Sequence, residues 1–134
     1  MFVRWVEESL LDLLGNEGVG CIPFSPLAQG LLSHKYLNGI PAESRVGRAL
    51  PNGAVTEADI TEDKLTKIKA LNTLAEERGQ TLAQMALAWL LKDPRVTSVL
   101  IGVSKTEQVL DSIKALDNYN FSTEELNRIE TILS

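Results

Sequence analysis

Gly20-Cys21-Ile22-Pro23-Phe24-Ser25-Pro26-Leu27-Ala28-Gln29-Gly30-Leu31-Leu32 is a short apolar run that breaks abruptly into a polar turn. With Val19 ahead of them, Cys21, Ile22 and Phe24 give the pattern of a strand buried on both faces. Ser25-Pro26 ends any ladder there, because proline lacks an N–H and turns the residue before it away from helix. Val96-Thr97-Ser98-Val99-Leu100-Ile101, followed by Gly102-Val103-Ser104-Lys105, repeats the layout. A helical pattern precedes each run and a small polar turn follows it, which predicts two parallel strands in an α/β fold. Ligands of such folds meet the loops at the carboxyl ends of strands, so both turns are candidate binding elements.

Working outward, apolar residues recur at three- and four-residue spacing through Phe2, Val3, Val6, Leu10, Leu13 and Leu14, predicting a helix over 2–14 that Gly15 or Gly18 ends. Trp5 and Trp89 sit on helices and are expected in the core. Residues 28–60 form a long connection rich in Gly, Pro, Asn and Ala, of the kind that is a functional lid or disordered. Thr61 is an N-cap for a helix reaching about Arg78, with Leu65, Ile68, Leu71, Leu74 and Ala75 on one face and Gly79 as its stop. Thr81 caps a helix from Leu82 to about Lys92 that is apolar almost all round and therefore buried. Further helices are predicted from Thr106 to about Leu116 and from Ser122 to Ser134, the latter opened by a Ser122/Glu125 capping box.

The 134 residues suffice for one domain, 1–134, and an apolar fraction of 44% argues against overall disorder. A net charge of −5 with scattered lysines and arginines argues against a nucleic-acid partner. No run is long and apolar enough for a bilayer, so no membrane role is expected, and the N-terminus lacks a signal-peptide layout. One cysteine, Cys21, and one histidine, His34, exclude a Cys/His zinc cluster, so no metal site is expected. Cys21 reads as a small core residue in a reducing, cytoplasmic setting.

Few residues offer chemistry. Gly102, Ser104 and Lys105 open onto the helix at Thr106, and a helix N-terminus beside a glycine, a hydroxyl and a cation suits an anion such as phosphate. The spacing matches neither a P-loop nor a dinucleotide glycine fingerprint. Read alone, each turn fits plain punctuation between strand and helix better than a ligand site. Two at neighbouring strand ends strengthen the anion reading, since loops after the last two strands of a barrel often hold phosphate. His34 has no acid or nucleophile placed to accompany it and reads as a solvated loop residue. Tyr36 reads as a loop anchor, and Tyr119 as packing ahead of the last helix.

Phe24-Ser25-Pro26-Leu27-Ala28-Gln29-Gly30-Leu31-Leu32-Ser33-His34-Lys35-Tyr36, Gln80-Thr81-Leu82-Ala83-Gln84-Met85-Ala86-Leu87-Ala88-Trp89-Leu90-Leu91 and Ile101-Gly102-Val103-Ser104-Lys105-Thr106-Glu107-Gln108 together resemble the aldo-keto reductases. The nearest branch is that of glyceraldehyde 3-phosphate reductases and potassium-channel β subunits. The resemblance covers essentially the whole chain. It implies the C-terminal portion of a (β/α)8 TIM barrel, with two parallel strands and about five helices, incomplete as a single chain. It also implies NADP (NADPH) as cofactor. Phe24 then stacks on the nicotinamide, and Ser25, Pro26, Leu27, Ala28 and Gln29 line the pyrophosphate. Lys35 and Arg45 reach the phosphates, and Gly102, Ser104, Lys105, Gln108 and Ser112 form the adenosine 2′-phosphate and adenine pocket. Three positions depart from the family pattern: His34 replaces a common glycine, Lys105 an arginine, and Ser112 an asparagine. Lysine offers the phosphate a point charge in place of a planar fork.

No part of the chain matches the motifs that hold the family's catalytic Asp, Tyr, Lys and His, so no catalytic residue is assigned. The expected function is the cofactor-binding portion of an NADP-dependent carbonyl reductase, inactive alone, taking a small carbonyl substrate only with the N-terminal half. The start at Met1 favours truncation, whether of a gene, by expression of a fragment, or in a split protein. The alternative is a non-catalytic nucleotide-binding or protein-interaction module derived from the barrel. Val19, Cys21, Ile22, Phe24, Val99 and Ile101 would face an absent barrel interior, which predicts a homo-oligomer or strand-exchanged assembly.

Overall fold

A computed structural model describes residues 1–44, 46, 47 and 55–134. Within them lie the α-helices α1 (Leu10–Asn16), α2 (Glu62–Glu77), α3 (Leu82–Leu91), α4 (Thr106–Ile113) and α5 (Thr123–Leu133). α3 is the element the others cover. Leu82, Met85, Ala86, Leu87, Ala88 and Trp89 are all buried along it. Its first turn is closed reciprocally: the Thr81 hydroxyl accepts the Gln84 N–H at 3.2 Å, and the Gln84 side-chain oxygen accepts the Thr81 N–H at 3.0 Å. Gln84 is buried, and its amide nitrogen donates to the backbone oxygen and carboxylate of Asp111 at 3.2 and 2.7 Å. One polar side chain thus caps α3 and fastens α4 to it, with both ends of its amide satisfied.

α2 lays Ile68, Leu71, Leu74 and Ala75 into the same core. Thr61 caps it by accepting the Lys64 N–H at 3.2 Å. The helix stops at Gly79, which takes φ 69°, while the Gly79 N–H donates to Glu76 O and the Gln80 N–H to Ala75 O, each at 2.9 Å. This paired closure needs a left-handed residue, which glycine supplies without a Cβ clash. α5 begins with the expected box, Ser122 N–H to the Glu125 carboxylate at 2.6 Å and Glu125 N–H to the Ser122 hydroxyl at 3.2 Å, and buries Ile129.

Arg78 closes the seam between these helices. Only 3% of its side chain is exposed. It donates to Glu125 Oε1 at 2.5 Å, Gln80 Oε1 at 3.0 Å, Asn118 O at 2.9 Å and Asn120 O at 3.0 Å, and its guanidinium lies 3.8 Å from the centre of the Phe121 ring. A planar, five-donor cation can serve that many acceptors at once; an ammonium cannot. Burial pushes the Glu125 carboxyl up, but the Ser122 N–H and the Arg78 guanidinium outweigh it and hold the carboxyl below its usual range.

Several sequence expectations are corrected. The helix over 2–14 is instead a 3-10 turn at Trp5–Glu7 followed by α1, interrupted at Ser9. Arg4 clamps the Glu7 carboxylate at 2.6 and 2.9 Å and reaches Glu130 on α5 at 2.5 Å, which ties the first turn to α5. Gly18, at φ 66°, ends α1. Trp5 is 63% exposed, so the core tryptophan is Trp89 alone of the two. The connection after residue 28 is not a structureless lid throughout, because Leu31, Leu32, Tyr36 and Val46 are buried in the main core. The helix from Thr106 passes into a 3-10 segment at Lys114–Asn118.

The largest correction concerns the strands. Among the described residues no ladder forms; Cys21 bridges Val96 and Phe24 bridges Leu100, both in the parallel sense, and each bridge is isolated. Nor is the pair buried on both faces. Val99 and Ile101 do not face an empty interior but pack against Leu87, Ala88 and Ala115, whereas Ile22, Phe24 and Leu100 are 61%, 78% and 60% exposed. With no neighbouring strand on either side, two short segments make too few backbone bonds to hold a regular pleat.

Two measurements follow. Arg78→Ala leaves Asn120 O without its donor and takes one donor each from Asn118 O and the Glu125 carboxylate, and should cost about 3 kcal/mol in a urea unfolding titration. Arg128→Ala, which removes an exposed pair with Glu77, should leave the midpoint nearly unchanged. Equal effects would show that Arg78 is not the seam. The second measurement concerns Asp93, whose carboxylate accepts from Arg95 Nη2 at 2.6 Å, Nε at 2.9 Å and N–H at 3.0 Å. Those bonds, against burial, hold its carboxyl at about 2, below the ordinary 3.8. The unfolded chain therefore binds the extra proton first, so this contribution is complete above pH of about 4 and is lost as pH falls toward 2. Asp93→Asn should flatten the stability–pH curve over that window, and an unchanged slope would refute it.

Candidate cofactor-binding site

The two bridges set the geometry. Cys21 N–H donates to Arg95 O at 3.2 Å, Thr97 N–H to Cys21 O at 2.9 Å and Leu100 N–H to Pro23 O at 3.1 Å. Because the segments run parallel and Phe24 is level with Leu100, the turn after each leaves from the same end of the pair. Ser25 to Gln29 and Gly102 to Lys105 thus both follow that end.

The first turn is held in a backbone that ordinary residues avoid. Ser25, Ala28 and Gln29 have φ of 52°, 47° and 59°, and Gly30 has 97°. A non-glycine residue pays roughly 1–2 kcal/mol to sit there. The cost is met by a dense local frame: Ala28 N–H to Ser25 O and Gly30 N–H to Leu27 O at 2.9 Å, Leu32 N–H to Leu27 O at 3.1 Å, and Gln29 Nε2 to Ser25 Oγ at 3.1 Å. The Ser33 hydroxyl donates to Gly30 O at 2.6 Å and accepts the Lys35 N–H at 3.4 Å. Buried Pro26, Leu31, Leu32 and Tyr36 anchor the whole turn in the core. These bonds hold the N–H groups of Ala28, Gly30, Leu31 and Leu32 on local carbonyls and fix a strained backbone. Sequence reasoning missed it. Serine, alanine and glutamine carry no left-handed signal, and only Gly30 hinted at it.

The second turn is closed by its own glutamine. The side-chain oxygen of Gln108 accepts the Ser104 N–H at 2.8 Å, the Lys105 N–H at 3.2 Å and the Ser104 hydroxyl at 3.3 Å. Ser112 donates its hydroxyl to Gln108 O at 2.7 Å, back into α4. Gly102, Ser104, Lys105 and Gln108 are exposed, as are Phe24, Ser25, His34 and Lys35; Leu27, Ala28, Gln29 and Ser112 are half-buried. Lys35 and Lys105 have no ion-pair partner among the described residues. Arg45 lies outside the described residues.

The aldo/keto reductase family model matches residues 1–134. The chain belongs to the aldo/keto reductase family. It is 56% identical to the L-glyceraldehyde 3-phosphate reductase of Escherichia coli (strain K12) over 129 residues, 95% of this chain and 37% of that one. It is 39% identical to a probable voltage-gated potassium channel subunit beta of Oryza sativa subsp. japonica over 131 residues, 96% of this chain and 39% of that one. The aldo-keto reductase AKR11C1 from Bacillus halodurans, solved in a holo form, superposes with a TM-score of 0.71 at 23% identity, covering 99% of this chain and 40% of that structure. The chain therefore spans a little over a third of the length of the curated relatives it matches and shares the fold of part of an aldo-keto reductase barrel.

The strained turn supports a direct stability test. Ala28→Val places a β-branched side chain at φ 47° and should cost about 1–3 kcal/mol by urea titration, while Ala28→Gly should change stability by less than about 1 kcal/mol. Valine tolerated as well as glycine would mean the turn does not hold this backbone in solution.

Proposed function

We propose that this chain is the C-terminal, NADP(H)-binding portion of an aldo-keto reductase that reduces a carbonyl by hydride transfer. The observation that carries the reading is that both turns leave from one end of the parallel segments, each with a lysine that has no ion-pair partner among the described residues. The donor chemistry suits a dinucleotide phosphate: hydroxyls on Ser25 and Ser104 and cations on Lys35 and Lys105, all four exposed. Ser25, Pro26, Leu27, Ala28 and Gln29 would follow the pyrophosphate, with Lys35 and Arg45 closing on it. Gly102, Ser104, Lys105, Gln108 and Ser112 would hold the adenosine end. Phe24, bare beside the first turn, offers a ring for the nicotinamide to stack on.

When bound, NADPH supplies the hydride; the chain's part is to fix its phosphates and orient the ring. A reduction also needs an acid to protonate the developing alkoxide. None of the assigned residues is placed to give one, and the chain alone is proposed to be inactive. The name of the relative at 56% identity makes a small phosphorylated aldehyde the substrate class to test on a completed barrel. A cytoplasmic, reducing setting suits a half-buried free thiol at Cys21.

One observation favours a second reading. Gln108 already satisfies the N–H groups of Ser104 and Lys105, so α4 needs no anion at its start. In a non-catalytic module that bond simply persists. Titration with NADPH and NADH separates the two. The cofactor reading expects NADPH to be preferred, Lys105→Ala to weaken it about tenfold or more, and no NADPH oxidation by small aldehydes with the chain alone. NADPH binding that ignores Lys105→Ala would remove the phosphate assignment, and no binding at all would favour the module.

A further inference from the structure

We infer that Lys92 is an acyl-acceptor site, a lysine held in a cleft that takes a short-chain acyl phosphate. Lys92 is the C-cap of α3, and it lines a cleft of about 490 Å³ that the turn after it shares with Asn120, Phe121 and Leu126. Its amine lies 4.3 Å from the centre of the Trp89 ring and makes neither a hydrogen bond nor an ion pair among the described residues. The other charges of the cleft are matched, because Asp93 and Arg95 bind each other. That turn precedes Val96, whereas the candidate cofactor turns follow Phe24 and Ile101. The cleft therefore belongs to the opposite end of the parallel segments.

A lysine is a nucleophile only when neutral, and burial disfavours the ammonium. Desolvation is the largest influence on Lys92 and holds its pKa below the ordinary 10.5, against the pull of Glu7, Asp93 and Glu130. The Arg4 guanidinium adds to the lowering, and the Met1 amine is the remaining cation nearby. The cleft supplies the rest. Its one unmatched positive charge draws in an anionic donor. Phe121 and Leu126 offer an apolar wall for a short alkyl chain, and the exposed Asn120 amide offers an N–H to the carbonyl oxygen. The neutral Nζ then attacks the carbonyl carbon. A C–N bond forms, the bond from that carbon to the phosphate oxygen breaks, inorganic phosphate leaves with the electron pair, and the Nζ proton passes to water. Nothing is oxidised or reduced. The amide that results takes the cation away from Trp89 and from the carbonyl end of α3.

This inference is independent of cofactor binding. The test incubates the folded chain with acetyl phosphate and, separately, butyryl phosphate near neutral pH, and reads acylation of each lysine by peptide mass spectrometry. Lys92 should be modified at least about threefold faster than the exposed Lys105 and Lys114, and the butyryl donor should widen that ratio. The advantage should shrink as pH rises toward 10.5, the ordinary lysine value. Asn120→Asp adds a carboxylate that repels the donor and favours the ammonium, so it should lower modification of Lys92 at least about twofold and leave Lys105 unchanged. In guanidinium chloride, with the chain unfolded, the three lysines should react alike. Equal rates in the folded chain, a preference that persists on unfolding, the same ratio with both donors, or indifference to Asn120→Asp would each overturn the site.

Discussion

A helix that is apolar around nearly its whole circumference must be covered on every side, and α3 imposes that demand on the rest of the molecule. α2, the Leu31–Tyr36 stretch and α5 cover Leu82, Met85, Ala86 and Trp89. Leu27, Val99, Ile101, Ala115 and Phe121 cover Leu87 and Ala88. The second group matters for function, because it fixes where the parallel segments lie and hence where their turns emerge. Arg78 and Gln84 are the polar counterparts of this packing. Each is buried, each has its hydrogen-bonding groups met, and each joins elements far apart in sequence. Apolar exposure remains at the edges of this packing, on α4 at Leu110 and Ile113 as on the segments at Phe24 and Leu100.

That division explains what could be read from the sequence. Capping residues act within one turn of chain, so Thr61, Thr81, Ser122 and Gly79 announced their helices correctly. The all-round apolar pattern of Leu82–Leu91 likewise has one outcome, burial. The strand expectation depended on neighbours. Val19–Phe24 and Val96–Ile101 have the composition of barrel strands, but composition cannot provide the adjoining strands, and what remains is two isolated bridges. Trp5 shows the same limit: it was expected in the core from its place on a helix, yet Arg4 ties the first turn to Glu130 and the ring stays outside.

The candidate site divides the same way. The two turns after two apolar runs were legible as turns, and the family resemblance supplied the cofactor roles expected of their residues. Their local physics was not. The left-handed Ser25, Ala28 and Gln29 are set by tertiary anchoring of Pro26, Leu31 and Tyr36, and the reach of Gln108 across Ser104 and Lys105 is a three-dimensional closure. Both turns are closed by internal bonds, the first through the N–H groups of Ala28, Gly30 and Leu32 and the second through Gln108.

The central claim is a core closed around α3 that carries two segments joined only by isolated bridges, and residue-resolved amide hydrogen exchange on the chain alone tests it most directly. Amides of α3 from Ala86 to Trp89 should exchange slowest, with those of α2 and α5 close behind. Those of Cys21, Thr97 and Leu100, whose bonds belong to isolated bridges, should exchange far faster. Protection at Cys21, Thr97 and Leu100 equal to that of Trp89 would contradict the account, for it would mean that the pair is already part of a closed sheet.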